Sequence, residues 1–306
     1  MVLEGWGESL LYPRLDDCIR LVKKEGAEAG LVTSGTGLDE SLSGALLDAG
    51  IDFIGFSFSG TTARTHDLIR AGSDFERLVR SIRTFQAVRR RKGLKNPLKN
   101  PRMHLVYLLL RDNIEEAGGV IDLARDLEIK KIVLVNAVLI ATRTQDEDRV
   151  FARGTADRRY GEILHRLADS AKSSGIDLVL PSLSPMESGI CNENPLKNLY
   201  ISAEGEVSPC VYLYPPVPSP FTRVHFGEEF STSKVSFGNI FTQSFPDIWN
   251  SGAYRDFRKC FQERERVAQA ARQALFGLEP GAAQDAMREM PAAPEACRKC
   301  HKLYGL

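Results

Sequence analysis

Cysteine is scarce in this chain, six among 306 residues, which excludes a disulfide scaffold. Charge of one sign is missing too. Forty Lys and Arg balance forty Asp and Glu, so no global field draws the protein toward nucleic acid or an anionic membrane. No apolar run approaches the ~18 residues of a membrane span; the longest lies within Lys131 to Ala141. The opening Met1-Val2-Leu3-Glu4-Gly5-Trp6 has neither the basic stretch nor the apolar stretch of a signal peptide. The expectation is therefore a cytoplasmic protein with reduced thiols and with neither nucleic acid nor a membrane as partner. What is present is an ordinary globular mix, 43% hydrophobic and 26% charged, enough to fill the cores of about two domains.

Up to Pro181 one phrase repeats: a short apolar run, turn residues, then an amphipathic stretch. Strands are predicted at Met1–Trp6, Ala29–Thr33, Phe53–Phe58, Met103–Leu110, Lys131–Val135 and Asp177–Leu180. Helices are predicted near Leu15–Gly26, Leu38–Ala49, Phe75–Arg91, Ile114–Leu127 and Tyr160–Ser174, with Gly50 as a C-cap signal. This alternation implies a parallel α/β sheet, open or part of a barrel. Past Pro181 the rhythm stops. Residues 182–306 hold five of the six cysteines and most of the prolines, so the predicted domains are 1–181 and 182–306. A hairpin is expected from Leu199–Ser202 to Val207–Leu213, turning at Gly205, and a helix from Phe245 through the 260s. The basic run from Arg89 to Lys95 reads as a solvated helix end whose cations favour the C-terminal dipole.

Cys191, Cys210, Cys297 and Cys300 stand out as candidate metal ligands. Cys297-Arg298-Lys299-Cys300 is a CxxC, which presents two thiolates to one ion or cluster, and a pair from elsewhere completes a four-sulfur site. Spacing alone leaves tetrahedral zinc and an iron–sulfur cluster both open. Cys297-x-x-Cys300-His301 also spells a c-type haem attachment site, but that reading leaves Cys191 and Cys210 unexplained. Cys18 reads as a small core residue, Cys260 as core or a fifth ligand.

These residues carry a family resemblance. Cys191, thirteen residues, Gly205, four residues and Cys210, then Gly238-Asn239-Ile240, Asp247-Ile248-Trp249-Asn250, Tyr254, Phe257-Arg258 and the final CxxC resemble a SPASM/twitch auxiliary-cluster domain. Residues 1–180 resemble the later part of a radical S-adenosylmethionine (SAM) core. Gly5-Trp6-Gly7-Glu8 is similar to the Gly-Gly-Glu motif that contacts the SAM amino group. Thr33-Ser34-Gly35-Thr36 is similar to the family's Thr-Asn-Gly-Thr turn, and Ser57-Phe58-Ser59-Gly60, Thr65-His66 and Ile69-Arg70-Ala71-Gly72 to the segment after the next strand. The resemblance implies SAM binding at Gly5, Gly7, Glu8, Ser34 and Ser57. It also implies an auxiliary 4Fe–4S cluster on Cys191, Cys210, Cys297 and Cys300. Asn113 and Asn136 read as an N-cap and a strand-end polar residue.

The same resemblance implies hydrogen-atom abstraction from a peptide or other small substrate, as in maturases, with an electron donor as partner. The expected fold is an incomplete parallel (β/α) barrel of the radical SAM type, lacking its first strand, plus a small cysteine-ligated domain. The family's CxxxCxxC motif has no counterpart in these 306 residues. The expectation is an N-terminally truncated chain, inactive as it stands. The alternatives are a non-catalytic iron–sulfur electron carrier or peptide-binding protein, and a zinc-stapled interaction domain.

Overall fold

The computed structural model describes residues 1–93, 100–154, 157–276 and 288–306. Packing divides the chain into two compact units. The first holds Met1–Ala137, Asp148–Val150 and the stretch ending at Pro181; the second holds Val138–Glu147, a short segment starting at Phe151, and Ser182–Leu306.

In the first unit, α1 (Leu15–Lys24) leads to β1 (Gly30–Thr33), α2 (Glu40–Ala49), β2 (Phe53–Phe58), α3 (Ala63–Ile69) and α4 (Phe75–Arg91). Then come β3 (Arg102–Leu109), α5 (Val120–Asp126), β4 (Lys131–Asn136), α7 (Arg158–Ser173) and β5 (Asp177–Val179), while α6 (Arg143–Glu147) belongs to the second unit. The strands pair in parallel in the order β1-β2-β3-β4-β5. Parallel strands need crossovers, and the intervening helices supply them. Ile54, Phe56, Phe58, Leu105, Tyr107 and Leu109 are fully buried in this sheet. Leu15, Ile19 and Val22 turn one face of α1 inward.

Caps set the helix ends. Asp39 accepts from Leu42 N at 2.8 Å and Asp74 from Arg77 N at 2.8 Å. The cations closing α4 are solvated: Arg90 pairs with Glu128 and Arg91 with Glu40 at the surface. Leu94 and Lys95 of that basic run lie outside the described residues.

One local expectation is corrected: Met1–Trp6 does not form a strand. Only Val2 pairs, in an isolated bridge to Gly30, with Leu3 N donating to Gly30 O at 2.7 Å. Beyond it the glycine-bearing segment leaves the ladder for a 3-10 turn at Ser9–Leu11. Asn113 holds the expected N-cap position, before the 3-10 turn Ile114–Gly119, but its side chain makes no cap bond. It is fully buried, its Oδ1 accepting from Leu110 N and its Nδ2 donating to Ser59 O and Leu108 O, so it ties together the chain ends leaving β2 and β3.

The second unit is built from small pieces. A hairpin pairs β6 (Tyr200–Ile201) with β7 (Val207–Ser208), shorter than expected because residues 211–213 coil into a 3-10 turn. Gly205 turns it at φ +85°, and a Cβ there would stand 2.7 Å from both Asn239 Oδ1 and the Phe241 ring. Asn239 braces that turn, donating to Glu204 O at 2.8 Å and Glu206 Oε1 at 2.9 Å. A second hairpin joins β8 (Phe221–His225) to β9 (Glu228–Thr232).

The helix expected from Phe245 is two, α8 (Phe245–Trp249) and α9 (Gly252–Phe276), broken at Asn250-Ser251. Across the break Arg258 sits 3.9 Å from the Trp249 ring centroid and 4.6 Å from that of Tyr254, and donates to Trp249 O. Tyr254 in turn stacks on Phe237 at 4.2 Å. Among the described residues no helix is long and apolar enough to cross a membrane.

One buried cation anchors this unit. The Arg264 side chain on α9 is fully buried. It donates to Glu187 Oε1 at 2.7 Å, to Ser188 O at 2.8 Å, to Gly189 O at 3.2 Å and to Pro291 O. These bonds fix the chain just before Cys191 and just before the final CxxC. Removing one side of such a buried network leaves the other unpaired. Arg264→Met is expected to lower the unfolding free energy by about 3 kcal/mol in urea titration. A loss below about 1 kcal/mol would contradict the anchoring role.

Candidate functional site

Cys191, Cys210, Cys297 and Cys300 come from three separate segments of the second unit. Cys191 opens a turn in which Asn194 N donates to Cys191 O at 2.9 Å. Cys210 follows β7 and enters the 3-10 turn. Cys297 lies within the short helix Glu295–Arg298, and Cys300 N donates back to Cys297 O at 3.0 Å. Cys297 and Cys300 are buried, and Cys210 and Cys297 share an apolar cluster with Leu213, Phe261 and Leu303.

The four thiols feel one another. Burial, and then the Cys300 sulfur, push Cys191 up to about 11. Cys210 is raised by burial, then by Cys300 and Cys191; Cys297 is raised by burial, then by the other three. Backbone N–H groups of Glu193 and Asn194 at Cys191, and of Leu213 at Cys210, act in the opposite direction. Burial thus favours the neutral thiols of Cys191, Cys210 and Cys297 until a cation takes them as thiolates.

Among the described residues no group of three or more His, Cys, Asp or Glu is already arranged to hold a metal ion. Cys260 stands aside from the four. Its thiol donates to Ala292 O at 3.2 Å, and its electrostatic neighbours are Arg264, Glu263 and Arg298.

A guanidinium completes the cysteine site. Arg223 on β8 is 2% exposed, and its Nη2 donates to Cys300 Sγ at 3.6 Å. Beside it the rings of His225 and His301 lie 4.9 Å apart, tilted at 44°. Burial, before any other cause, pulls both imidazoles down to about 4, so both are neutral at pH 7. A buried cation beside four sulfur donors fits a site whose thiolates carry net negative charge once they ligate a metal or cluster.

The second site lies in the first unit, at the carboxyl ends of the parallel strands, where such folds collect ligands. A cavity of about 340 Å³ is lined by Glu4–Glu8, Val32–Ser34, Ser57 and Arg70. It brings together all five residues expected to bind SAM: Gly5, Gly7, Glu8, Ser34 and Ser57. Glu8 is held firmly, its Oε1 accepting from Thr33 Oγ1 at 2.7 Å and its Oε2 from Ser34 N at 2.8 Å and Ser34 Oγ at 2.6 Å.

Arg70 was not among the residues expected there. Burial lowers its guanidinium while the Glu8 carboxylate pulls it back up, and Nε donates to Ser59 Oγ at 3.4 Å. His66 shapes the loop that delivers Arg70. Its Nδ1 accepts from Ser59 N at 3.2 Å and its Nε2 meets Ser73 Oγ at 2.8 Å. Burial, before the charge of Arg70, lowers its pKa and keeps the ring neutral. Gly60 lets the loop close, since a Cβ there would stand 2.4 Å from His66 N. A carboxylate and a guanidinium on one small cavity match the ammonium and carboxylate of an amino-acid moiety.

Comparison with known proteins gives the family. The model of the radical SAM superfamily matches residues 2–152, and that of the SPASM iron–sulfur cluster-binding domain matches residues 191–274. The chain belongs to the radical SAM/SPASM family. Proteins of this family use 4Fe–4S clusters and SAM. The SPASM match takes in Cys191 and Cys210 and ends before Cys297.

A curated relative from Pyrococcus furiosus, a tungsten-containing aldehyde ferredoxin oxidoreductase cofactor-modifying protein, is 27% identical over 259 residues, covering 83% of this chain and 68% of its own. Among solved structures, anSMEcpe with bound AdoMet and a Cp18Cys peptide aligns at TM-score 0.56 and 16% identity, over 85% of this chain and 69% of that one. Streptococcus suis SuiB aligns at TM-score 0.54 and 12% identity, over 83% of this chain. The radical SAM/SPASM chain described here spans 56% of the SuiB chain. The fold is thus α/β of the radical SAM type, its five parallel strands followed by a SPASM region.

Proposed function

We propose that this chain carries the SAM pocket and the auxiliary-cluster domain of a maturase-like radical SAM/SPASM enzyme, which abstracts a hydrogen atom from a peptide or other substrate. The observation that carries this reading is the convergence of Cys191, Cys210, Cys297 and Cys300, from three segments, into one electrostatically coupled group beside a buried cation. In this reading residues 1–181 are a partial radical SAM core and 182–306 the auxiliary-cluster domain. A cytoplasmic location and an external electron donor belong to the same proposal. The Pyrococcus relative's role in modifying a cofactor and the peptide bound to anSMEcpe give the two substrate classes to test first.

The four cysteine sulfurs would hold a 4Fe–4S cluster, which supplies electron transfer when bound. The chain's own residues prepare for it. The N–H groups of Glu193, Asn194 and Leu213 face the sulfurs, and the apolar wall of Leu213, Phe261 and Leu303 excludes water. In the pocket, Glu8 takes an ammonium and Arg70 a carboxylate, while Gly5 and Gly7 let backbone approach the ligand and Ser34 and Ser57 offer hydroxyls. No cysteines among these 306 residues have the CxxxCxxC spacing, so no residue here is assigned to SAM cleavage.

A zinc-stapled domain on the same four thiols is the second reading, because four cysteine sulfurs suit tetrahedral zinc as well as a cluster. A non-catalytic electron carrier keeps the same cluster and differs only in lacking SAM binding.

Anaerobically prepared protein is expected to hold about four irons and four sulfides per chain, and Cys297→Ser with Cys300→Ser to lose both. Zinc without sulfide would overturn the cluster assignment. S-adenosylhomocysteine titrated calorimetrically is expected to bind, with Glu8→Gln and Arg70→Gln each weakening it by roughly tenfold or more. No binding to the unsubstituted chain would favour the electron carrier.

A further inference from the structure

Burying a cation is costly unless an anion accompanies it, and Arg223 lacks a carboxylate. It is among the largest fully buried side chains of the protein. The ion pairs described in its unit run through Arg143, Arg264, Arg272, Lys299 and Lys302 instead. Its Nη1 is buried with no hydrogen-bond partner. Its Nη2 has one, the sulfur of Cys300 at 3.6 Å. Arg223 and His225 lie two apart on β8, so they share one face of the strand, and both are buried. A guanidinium placed so, with a ligand sulfur as its described side-chain partner, is an unbalanced charge.

We propose that Arg223 is the built-in counter-ion of the auxiliary cluster and raises its reduction potential. This rests on the cluster assignment made above. Four thiolates make the ligated cluster an anion, and accepting one electron from an external low-potential reductant makes it one charge more negative. A fixed cation within hydrogen-bond reach of a ligand sulfur stabilises the reduced form more than the oxidised form. The low local dielectric keeps that difference from being screened. Arg223 is a positioning and tuning residue: it acts through the Cys300 sulfur and touches no substrate.

The test is a dithionite redox titration of the complete, cluster-loaded protein, followed by electron paramagnetic resonance, with iron content measured on the same samples. Arg223→Gln removes the charge and Arg223→Lys keeps it. The expected result is a lower midpoint potential for Arg223→Gln at undiminished iron content, with Arg223→Lys nearer the unsubstituted protein. Full iron and an unchanged midpoint in Arg223→Gln would overturn the proposal.

If Arg223→Gln loses iron, the lysine variant decides. Iron retained in Arg223→Lys supports the counter-ion role, and iron lost in both assigns Arg223 to packing and overturns it. Unsubstituted protein without iron would instead overturn the cluster assignment, so the two failures are distinguishable.

Discussion

The second unit is organised around an electrostatic imbalance. Four sulfur donors and one guanidinium occupy a largely apolar hollow, and no carboxylate is described near the guanidinium. As neutral thiols they offer Arg223 a hydrogen-bond acceptor but no counter-charge; as thiolates without a metal they would repel one another strongly. In the proposed reading a metal cluster ligated by all four sulfurs resolves both conditions together, and folding of this unit is coupled to binding it.

Many of the structural features elsewhere in the unit hold those sulfurs in place. Arg264 fixes the chain leading into Cys191 and the chain leading into the CxxC from a single point on α9. Gly205 and Asn239 close the hairpin that carries Cys210. The Trp249, Tyr254 and Arg258 box locks the corner between α8 and α9. The first unit follows the same plan around a smaller ligand: Asn113 and His66 pin the loops after β2 and β3, and the cavity opens beside them with Glu8 and Arg70 of opposite charge.

Much of this was legible in the sequence. The five parallel strands were visible as short apolar runs alternating with amphipathic stretches. The cysteines were visible because a CxxC is rare in a cysteine-poor chain, and Gly5–Glu8, Ser34 and Ser57 through their likeness to the family's motifs. Met1–Trp6 misled because an apolar start was counted as a strand although its glycines leave the ladder. Asn113 looked like a helix cap, and only the tertiary arrangement shows its amide bridging two strand ends. Arg70 lay inside a segment matching the family, but its place on the cavity depends on how the His66 loop folds. Arg223 left almost no trace: a charged residue at an inward strand position is noticeable only once the inward face is known.

What the sulfurs hold is thus the central question, and iron K-edge X-ray absorption on anaerobically prepared protein addresses it most directly. The account expects iron in an all-sulfur shell with clear iron–iron scattering, as in a multi-iron cluster on four cysteines. Mononuclear iron with oxygen or nitrogen ligands, or zinc in place of iron, would contradict it.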